Sequence, residues 1–327
     1  MTENKRKNNA ESWRSFWTGA EAANQSVSAG AKDEALDEFW AAFISEQLRR
    51  APRSMIDLAC GAGPVSARAM RMATAAGVPL LVHYTDYAAA AVASVRAALG
   101  GGPLAGFAAD AAALPTPDGA YDIASSQFGL EYAGMWAFKE AARILRPGGV
   151  FAAVIHLRGG GIEEESAANL NIIQKAQALE FLPRARAAFE AGFAALSGRG
   201  SRAALQSADK AFAATVKATK TLITDSPAVV ARAFLARLYA DLAHMYPRMR
   251  AYAPEDIEAW LARGEFELKA YEHRMASMIG AAQSRADIER LAGALSGAGL
   301  NPSEPAILEL GEPLKPAAWA LIAEKPA

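Results

Sequence analysis

Between Ser54 and His156, short apolar runs alternate with stretches of helical periodicity. No other feature constrains the chain as much. Met55-Ile56-Asp57-Leu58, Leu80-Leu81-Val82-His83-Tyr84, Leu104 to Ala108, Tyr121 to Ser125 and Val150 to His156 read as five strands. Pro64 to Ala76, Ala88 to Leu99 and a stretch ending at Arg143-Ile144-Leu145 read as helices between them. Such alternation predicts a parallel sheet with helices on both faces, and right-handed crossovers then determine much of the strand order. Near the other end, Asp287 to Leu295 reads as a helix. Ala306 to Leu310 and Trp319 to Ala323 read as two strands around a Gly311-Glu312-Pro313 turn, and so pair antiparallel. The expected fold is α/β, with a seven-stranded, mostly parallel, doubly wound sheet whose last strand is antiparallel.

Residues 157–281 have a different texture. Gly159-Gly160-Gly161 opens a segment that is almost wholly helical in pattern. Leu205, Phe212, Val216 and Ile223 share one helical face, and Val230, Phe234, Leu238 and Leu242 share another. Ser226-Pro227 reads as an N-cap followed by proline at the first helical position. Pro254 reads as a helix start, with Gly264 after the last apolar residues of that helix, and 197–201 reads as an inter-helix loop. The expected division is an N-terminal helical flap (1–52), an α/β core (53–156), a long helical insertion after the fifth strand (157–281) and a return to the core (282–327). In the flap, Leu36, Phe39, Trp40, Phe43 and Ile44 line one helix face. Trp13, Phe16 and Trp17 belong either to a helix packed on the main domain or to a flap over a bound ligand.

Composition excludes several classes. Hydrophobic residues make up 52% of the 327, ample for a core and against global disorder. Lys plus Arg is 34 and Asp plus Glu is 35, whereas a protein built to grip phosphate backbones is usually strongly basic. No DNA partner is therefore expected. Lys5-Arg6-Lys7 is too short to be more than a solvated tail. A single cysteine makes neither an internal disulfide nor a cysteine-based metal site, and no acidic cluster points to a metal. The polar first dozen residues do not read as a secretory signal, and no apolar run approaches a membrane span. The expectation is a cytoplasmic protein. Exposed apolar faces on the insertion would allow a homodimer.

The densest chemistry lies in Asp57-Leu58-Ala59-Cys60-Gly61-Ala62-Gly63-Pro64, after a strand and before a helix. Glycines there let a ligand approach the backbone in the crevice at the carboxyl ends of the strands. A dinucleotide fingerprint wants a further glycine or alanine where this chain has Ser66, and an acid at Asp57 sits badly beside a pyrophosphate. A nicotinamide oxidoreductase is disfavoured on both grounds. Asp86 falls where the second strand ends, a place where a carboxylate accepts hydrogen bonds from ribose hydroxyls. Asp110, after the third strand, is placed to accept from an adenine amino group.

Together with Asp110-Ala111-x-x-Leu114-Pro115 and Glu140-Ala141-Ala142-Arg143-Ile144-Leu145-Arg146-Pro147-Gly148-Gly149, these residues resemble the class I S-adenosylmethionine (SAM)-dependent methyltransferases. The likeness covers 54–156 well and 283–325 by pattern. It implies SAM as cofactor and S-adenosylhomocysteine (SAH) as product. It implies that Asp57 and the backbone at Ala59, Gly61 and Gly63 surround the amino-acid end of SAM. Asp86 would take the ribose hydroxyls, with Tyr87 against adenine, Asp110 and Ala111 reading the adenine edge, and Gln127 and Phe128 lining the path to the sulfonium. Trp17 would join them if the flap closes. Ala59 departs from the glycine common in the family.

A sulfonium is already an activated methyl donor, so the protein must mainly align an acceptor and exclude water. His156, at the end of the fifth strand, is the first candidate for a general base and Glu131 the second. A structural histidine is the competing reading of His156. Tyr132 follows Glu131, and in the insertion His244, Tyr246, Arg248 and Tyr252 combine aromatic and cationic groups suited to a small acceptor. Cys60 lies in the glycine turn, which argues against C5 methylation of pyrimidines by a cysteine nucleophile, and no Asn/Asp-Pro-Pro-aromatic motif follows the fourth strand. The leading expectation is methyl transfer to an O or N atom of a small molecule. A protein or RNA methyltransferase and a non-catalytic SAM-binding module are the alternatives.

Overall fold

The central strand of the sheet is β1 (Ser54–Leu58), in which every residue is buried. A strand flanked on both sides and covered on both faces has no polar side to present, and its apolar residues satisfy that. The structure is a computed structural model and describes residues 13, 16–17, 34–100, 104–227 and 229–327. The expected N-terminal tail with Lys5-Arg6-Lys7 lies outside the described residues.

β1 pairs in parallel with β2 (Leu81–Asp86) and β4 (Tyr121–Gln127). β2 carries β3 (Leu104–Ala108) on its far side and β4 carries β5 (Leu145–His156), both in parallel. β8 (Lys315–Glu324) then adds antiparallel to β5. The other edge of β8 takes two short strands in succession, β6 (Asn301–Pro302) and β7 (Ala306–Leu310). The order is β3-β2-β1-β4-β5-β8-β6, with β7 beside β8. The expected seven-stranded sheet is present, its sixth strand broken into two pieces around Ser303-Glu304-Pro305, where a proline cannot donate to the ladder.

Helices α1 (Glu34–Leu48) and α2 (Pro64–Ala76) pack on one face, burying Trp40, Phe43, Val65 and Ala69 against Met55, Val82, Ile123 and Val154. α3 (Ala89–Leu99) buries Val92 and Val95 beside Tyr84. On the opposite face α4 (Leu130–Ala133) and α5 (Met135–Ile144) cover Ile56, Leu58, Phe151 and Ala153. Each large apolar side chain buried in this way contributes about 1.5–3 kcal/mol. Gly106 on β3 lies under the Tyr84 ring, where a Cβ would come within 2.1 Å of Cε2.

The chain divides into two compact units, Met1–Glu164 with Ser277–Ala327, and Glu165–Ala276. The second unit holds most of α6 (Gly161–Ala178) and of α10 (Pro254–Ala281), with α7 (Phe181–Leu196), α8 (Arg202–Asp225) and α9 (Val230–Met245) between them. Its core joins Ile173, Phe181, Phe189, Phe212, Leu235 and Leu261. Two local expectations change here. Ser226 closes α8, its N–H donating to Leu222 O, and α9 begins only at Val230 because Asn169 Oδ1 on α6 accepts from Ala231 N at 2.7 Å. A cap supplied from another helix leaves no local signal. α10 also runs straight through Gly264, where a Cβ would meet Leu182 Cδ1 at 3.2 Å. The glycine marks close helix packing and not a helix end. α11 (Arg285–Gly297) returns to the first unit behind a capping box of Ser284 and Asp287. Among the described residues no helix is long and apolar enough to cross a membrane.

Candidate active site at the carboxyl ends of the strands

In a parallel sheet all strands end on the same edge, so Leu58, Asp86, Gln127 and His156 close their strands around one crevice. The glycine turn after β1 forms its floor. Ala59, Gly61 and Gly63 have φ of 52°, 53° and 73°, which brings the chain from strand to helix within a few residues. Gly63 caps α2 and Pro64 is its first residue.

Asp57 holds this turn together. It is 1% exposed, and Oδ2 accepts from Ser66 N at 3.1 Å and Ser66 Oγ at 2.7 Å. Oδ1 accepts from Ser125 Oγ at 3.0 Å. One carboxylate thus ties β1 to the start of α2 and to β4, and satisfies an N–H that the helix would otherwise leave open. Burial pushes the Asp57 carboxyl up to about 6, against the lowering pull of its Ser66 and Ser125 bonds. The structure therefore turns Asp57 inward, where it shapes the cradle from below, and both of its oxygens are engaged.

Asp86 braces the turn from the side. Its Oδ2 accepts from Gly61 N at 3.0 Å and its Oδ1 from Ala88 N at 2.9 Å. Burial raises its carboxyl, while these N–H bonds and that of Tyr87 lower it. The Tyr87 side chain is 47% exposed. Asp110 Oδ1 accepts from Ala112 N at 2.8 Å, which folds the loop after β3, and Ala111 is buried in the core. Glu140 and Arg143 pin that loop. Leu114 N donates to Glu140 Oε2 at 2.9 Å, and Arg143 donates to Leu114 O, Thr116 O and Asp118.

At the end of β4, Gln127 Oε1 accepts from Trp40 Nε1 at 2.6 Å. Phe128 has φ 53° and lies on His156, ring centroids 4.5 Å apart. Gly129 passes so close to the turn that a Cβ there would be 2.4 Å from that of Ala59. The two candidate bases come together. His156 Nδ1 lies 2.6 Å from Glu131 Oε1, which also accepts from His156 N at 3.1 Å. Their side chains are 4% and 1% exposed. Tyr132 meets the His156 ring edge-on at 5.7 Å. Burial, then the Glu131 charge, drives the Tyr132 phenol well above its usual range.

Three N-terminal aromatics complete the crevice, and spacing alone did not place them. A Cβ on Gly61 would be 3.0 Å from Trp17 Cζ2, so the Trp17 ring lies on the turn. Phe16 packs on Trp17 at 4.9 Å and on Trp13 at 5.7 Å, and Trp13 meets Tyr132 at 5.5 Å. A closed circuit of contacts runs from Gly61 through Trp17, Phe16, Trp13, Tyr132, His156 and Phe128 to Gly129 and Ala59. Sequence reasoning also missed Ser66, Ser125 and Trp40 as supports. Ser66 bonds Asp57 twice from nine residues away, Ser125 and Trp40 bond partners far along the chain, and none stands in a motif.

The remaining expected acceptor residues belong to the helical unit. His244 and Arg248 are exposed and adjacent, Arg248 Nη1 donating to His244 O at 3.1 Å. Tyr246 is packed edge-on against Phe189 and Phe212, its hydroxyl donates to Asp209, and Tyr252 is partly buried against the same core. This unit has a groove of about 690 Å³ lined by Arg186, Phe189, Phe193, Arg199, Ile257 and Glu258 among others, and none of the expected acceptor residues lines it.

Residues 56–153 match the family model described as "Methyltransferase domain". No curated protein matches the chain. Among solved structures, one is a putative methyltransferase in complex with the Haloferax volcanii Trm112 methyltransferase activator. It has 21% identity over 43% of this chain and 59% of that one, with a TM-score of 0.34. An S-adenosylmethionine-dependent methyltransferase from Mesorhizobium loti has 25% identity over 33% and 47%, TM-score 0.28. Geranyl diphosphate C-methyltransferase from Streptomyces coelicolor A3(2) has 17% identity over 32% and 38%, TM-score 0.29. The chain thus spans about six-tenths of the first of these and less than half of the other two. The crevice suits a SAM molecule. Its floor lacks side chains at Gly61 and Gly63, backbone in the left-handed region opens it, and an acid closes β2 beside it. Residues 56–153 of the chain thus form a methyltransferase domain, with SAM as its cofactor.

Proposed function

We propose that the protein transfers the SAM methyl group to an O or N atom of a small-molecule acceptor by in-line displacement, with His156 as general base. The observation that carries this reading is the buried His156–Glu131 pair at 2.6 Å, walled by Phe128 and Tyr132 at the strand ends. When bound, SAM supplies an electrophilic methyl group on a sulfonium, which leaves as a thioether. Everything else falls to the chain. The turn at Ala59–Gly63 and Asp86 bind and orient the cofactor. Gln127, held by Trp40, and Phe128 shape the approach, while Trp13, Phe16 and Trp17 exclude water. Glu131 accepts from Nδ1–H of His156, so that Nε2 is the nitrogen left to take a proton from the acceptor. His244, Arg248 and Tyr252 belong to the helical unit. Tyr246 serves that unit's core.

The test is methyl transfer from radiolabelled SAM to a panel of small alcohols, phenols and amines. His156→Gln should lower turnover about 10²-fold or more while leaving SAH affinity within about twofold. Unchanged turnover in that variant would rule out His156 as the base.

A further inference from the structure

We propose that the acceptor is an amine, bound as its ammonium ion by the second oxygen of Glu131 inside the aromatic wall. This rests on the methyltransferase reading and names its substrate class.

Glu131 uses one oxygen for His156. The other, Oε2, is buried and, among the described residues, has no hydrogen-bond partner. A native chain rarely leaves a buried carboxylate oxygen empty, because losing water without a replacement bond is costly. A ligand donor would supply the missing bond. Phe128 and Tyr132 lie against the histidine that this carboxylate holds, and Trp13 lies against Tyr132. Aromatic rings close to a carboxylate suit a cation, by ring quadrupole and by charge.

Charge points the same way. The crevice holds Asp57, Asp86 and Glu131, and among the described residues no Lys or Arg is paired with any of them. A phosphate, carboxylate or phenolate would add negative charge beside an uncompensated one. An alcohol would satisfy Oε2 but gain nothing from the ring faces. An ammonium satisfies both. It must lose a proton to become a nucleophile, and His156 is the base beside it. That proton passes to His156 Nε2. The freed lone pair forms the N–C bond as the C–S bond breaks, and the C–S electron pair goes to sulfur.

The experiment is calorimetric binding to the full chain saturated with SAH. The probes are methylamine, benzylamine and phenethylamine, each beside its alcohol and its carboxylic acid counterpart. At least one amine should bind about tenfold or more tighter than both counterparts. Glu131→Gln should erase that preference while SAH still raises Tm, which also shows that the variant folds. Binding of no amine, equal binding across a series, or a preference that survives Glu131→Gln overturns the inference and leaves the methyltransferase reading standing. If Glu131→Gln does not fold, the wild-type series decides alone. If the wild-type chain does not bind SAH, the reading itself fails and the inference falls with it.

Discussion

Asp57 illustrates what a residue type reveals and what it hides. An acid at the end of the first strand, before a glycine turn, stood out in the sequence as a candidate for a cofactor site. That its oxygens bond Ser66 and Ser125 was not, since neither partner stands in a recognisable motif. Its folded-state pKa of about 6 lies above the ordinary 3.8, so folding takes up a proton between those values. Stability contributed here is therefore greatest below the window and falls as pH rises through it. Two pKa units correspond to about 3 kcal/mol. Asp57→Asn keeps the bonding geometry without the charge. Urea denaturation should find it more stable than wild type at pH 7, by up to about 3 kcal/mol, with the gap closing near pH 4. A gap that does not change with pH would refute the burial account. Ala59 makes a second residue-scale prediction. Its φ of 52° costs an L-residue about 1–2 kcal/mol, partly offset in glycine by unfolded-state entropy. Ala59→Gly should raise stability by about 0.5–1 kcal/mol, measured as a higher Tm with SAH affinity retained.

At the scale of elements, the alternation of apolar and helical runs revealed the sheet almost completely, because strands buried on both faces must be largely apolar. What stayed hidden were ends set by distant partners. α9 starts where Asn169 caps it, α10 ignores Gly264, and the sixth strand breaks at Ser303-Glu304-Pro305. The joint between the glycine turn and the end of β4 gives a sharp test. Gly129→Ala would place a Cβ 2.4 Å from that of Ala59, and both contacts belong to constrained backbone. The variant should lose about 1–3 kcal/mol of stability. Combining it with Ala59→Gly should recover most of that loss, and a double variant no better than the single one would show that the clash is not with Ala59. Trp40→Phe keeps the packing of α1 but removes its 2.6 Å bond to Gln127. It should weaken SAH binding several-fold by titration calorimetry, with a fall in Tm of a few degrees.

At the scale of the molecule, the chain consists of an α/β unit carrying the crevice and a helical unit with its own core of Phe181, Phe189, Leu235 and neighbours. The residues proposed to hold the cofactor could be named from sequence because they follow strand ends in a fixed order. The acceptor half was readable only as separate candidates. His156 and Glu131 are 25 residues apart in sequence and meet only because β5 runs beside β4. Trp13, Phe16 and Trp17 reach the crevice without a strand-end motif in the sequence to mark them. The central claim is that this crevice is a SAM site braced by Asp86, and thermal unfolding tests it most directly. With SAH at about 100 times its dissociation constant, stability should rise by about 2.7 kcal/mol, a shift in Tm of several degrees. Asp86→Ala, folded by circular dichroism, should show none, and NADH should leave wild type unchanged. A Tm that rises with NADH alone, or an Asp86→Ala variant that responds to SAH as wild type does, would contradict the account.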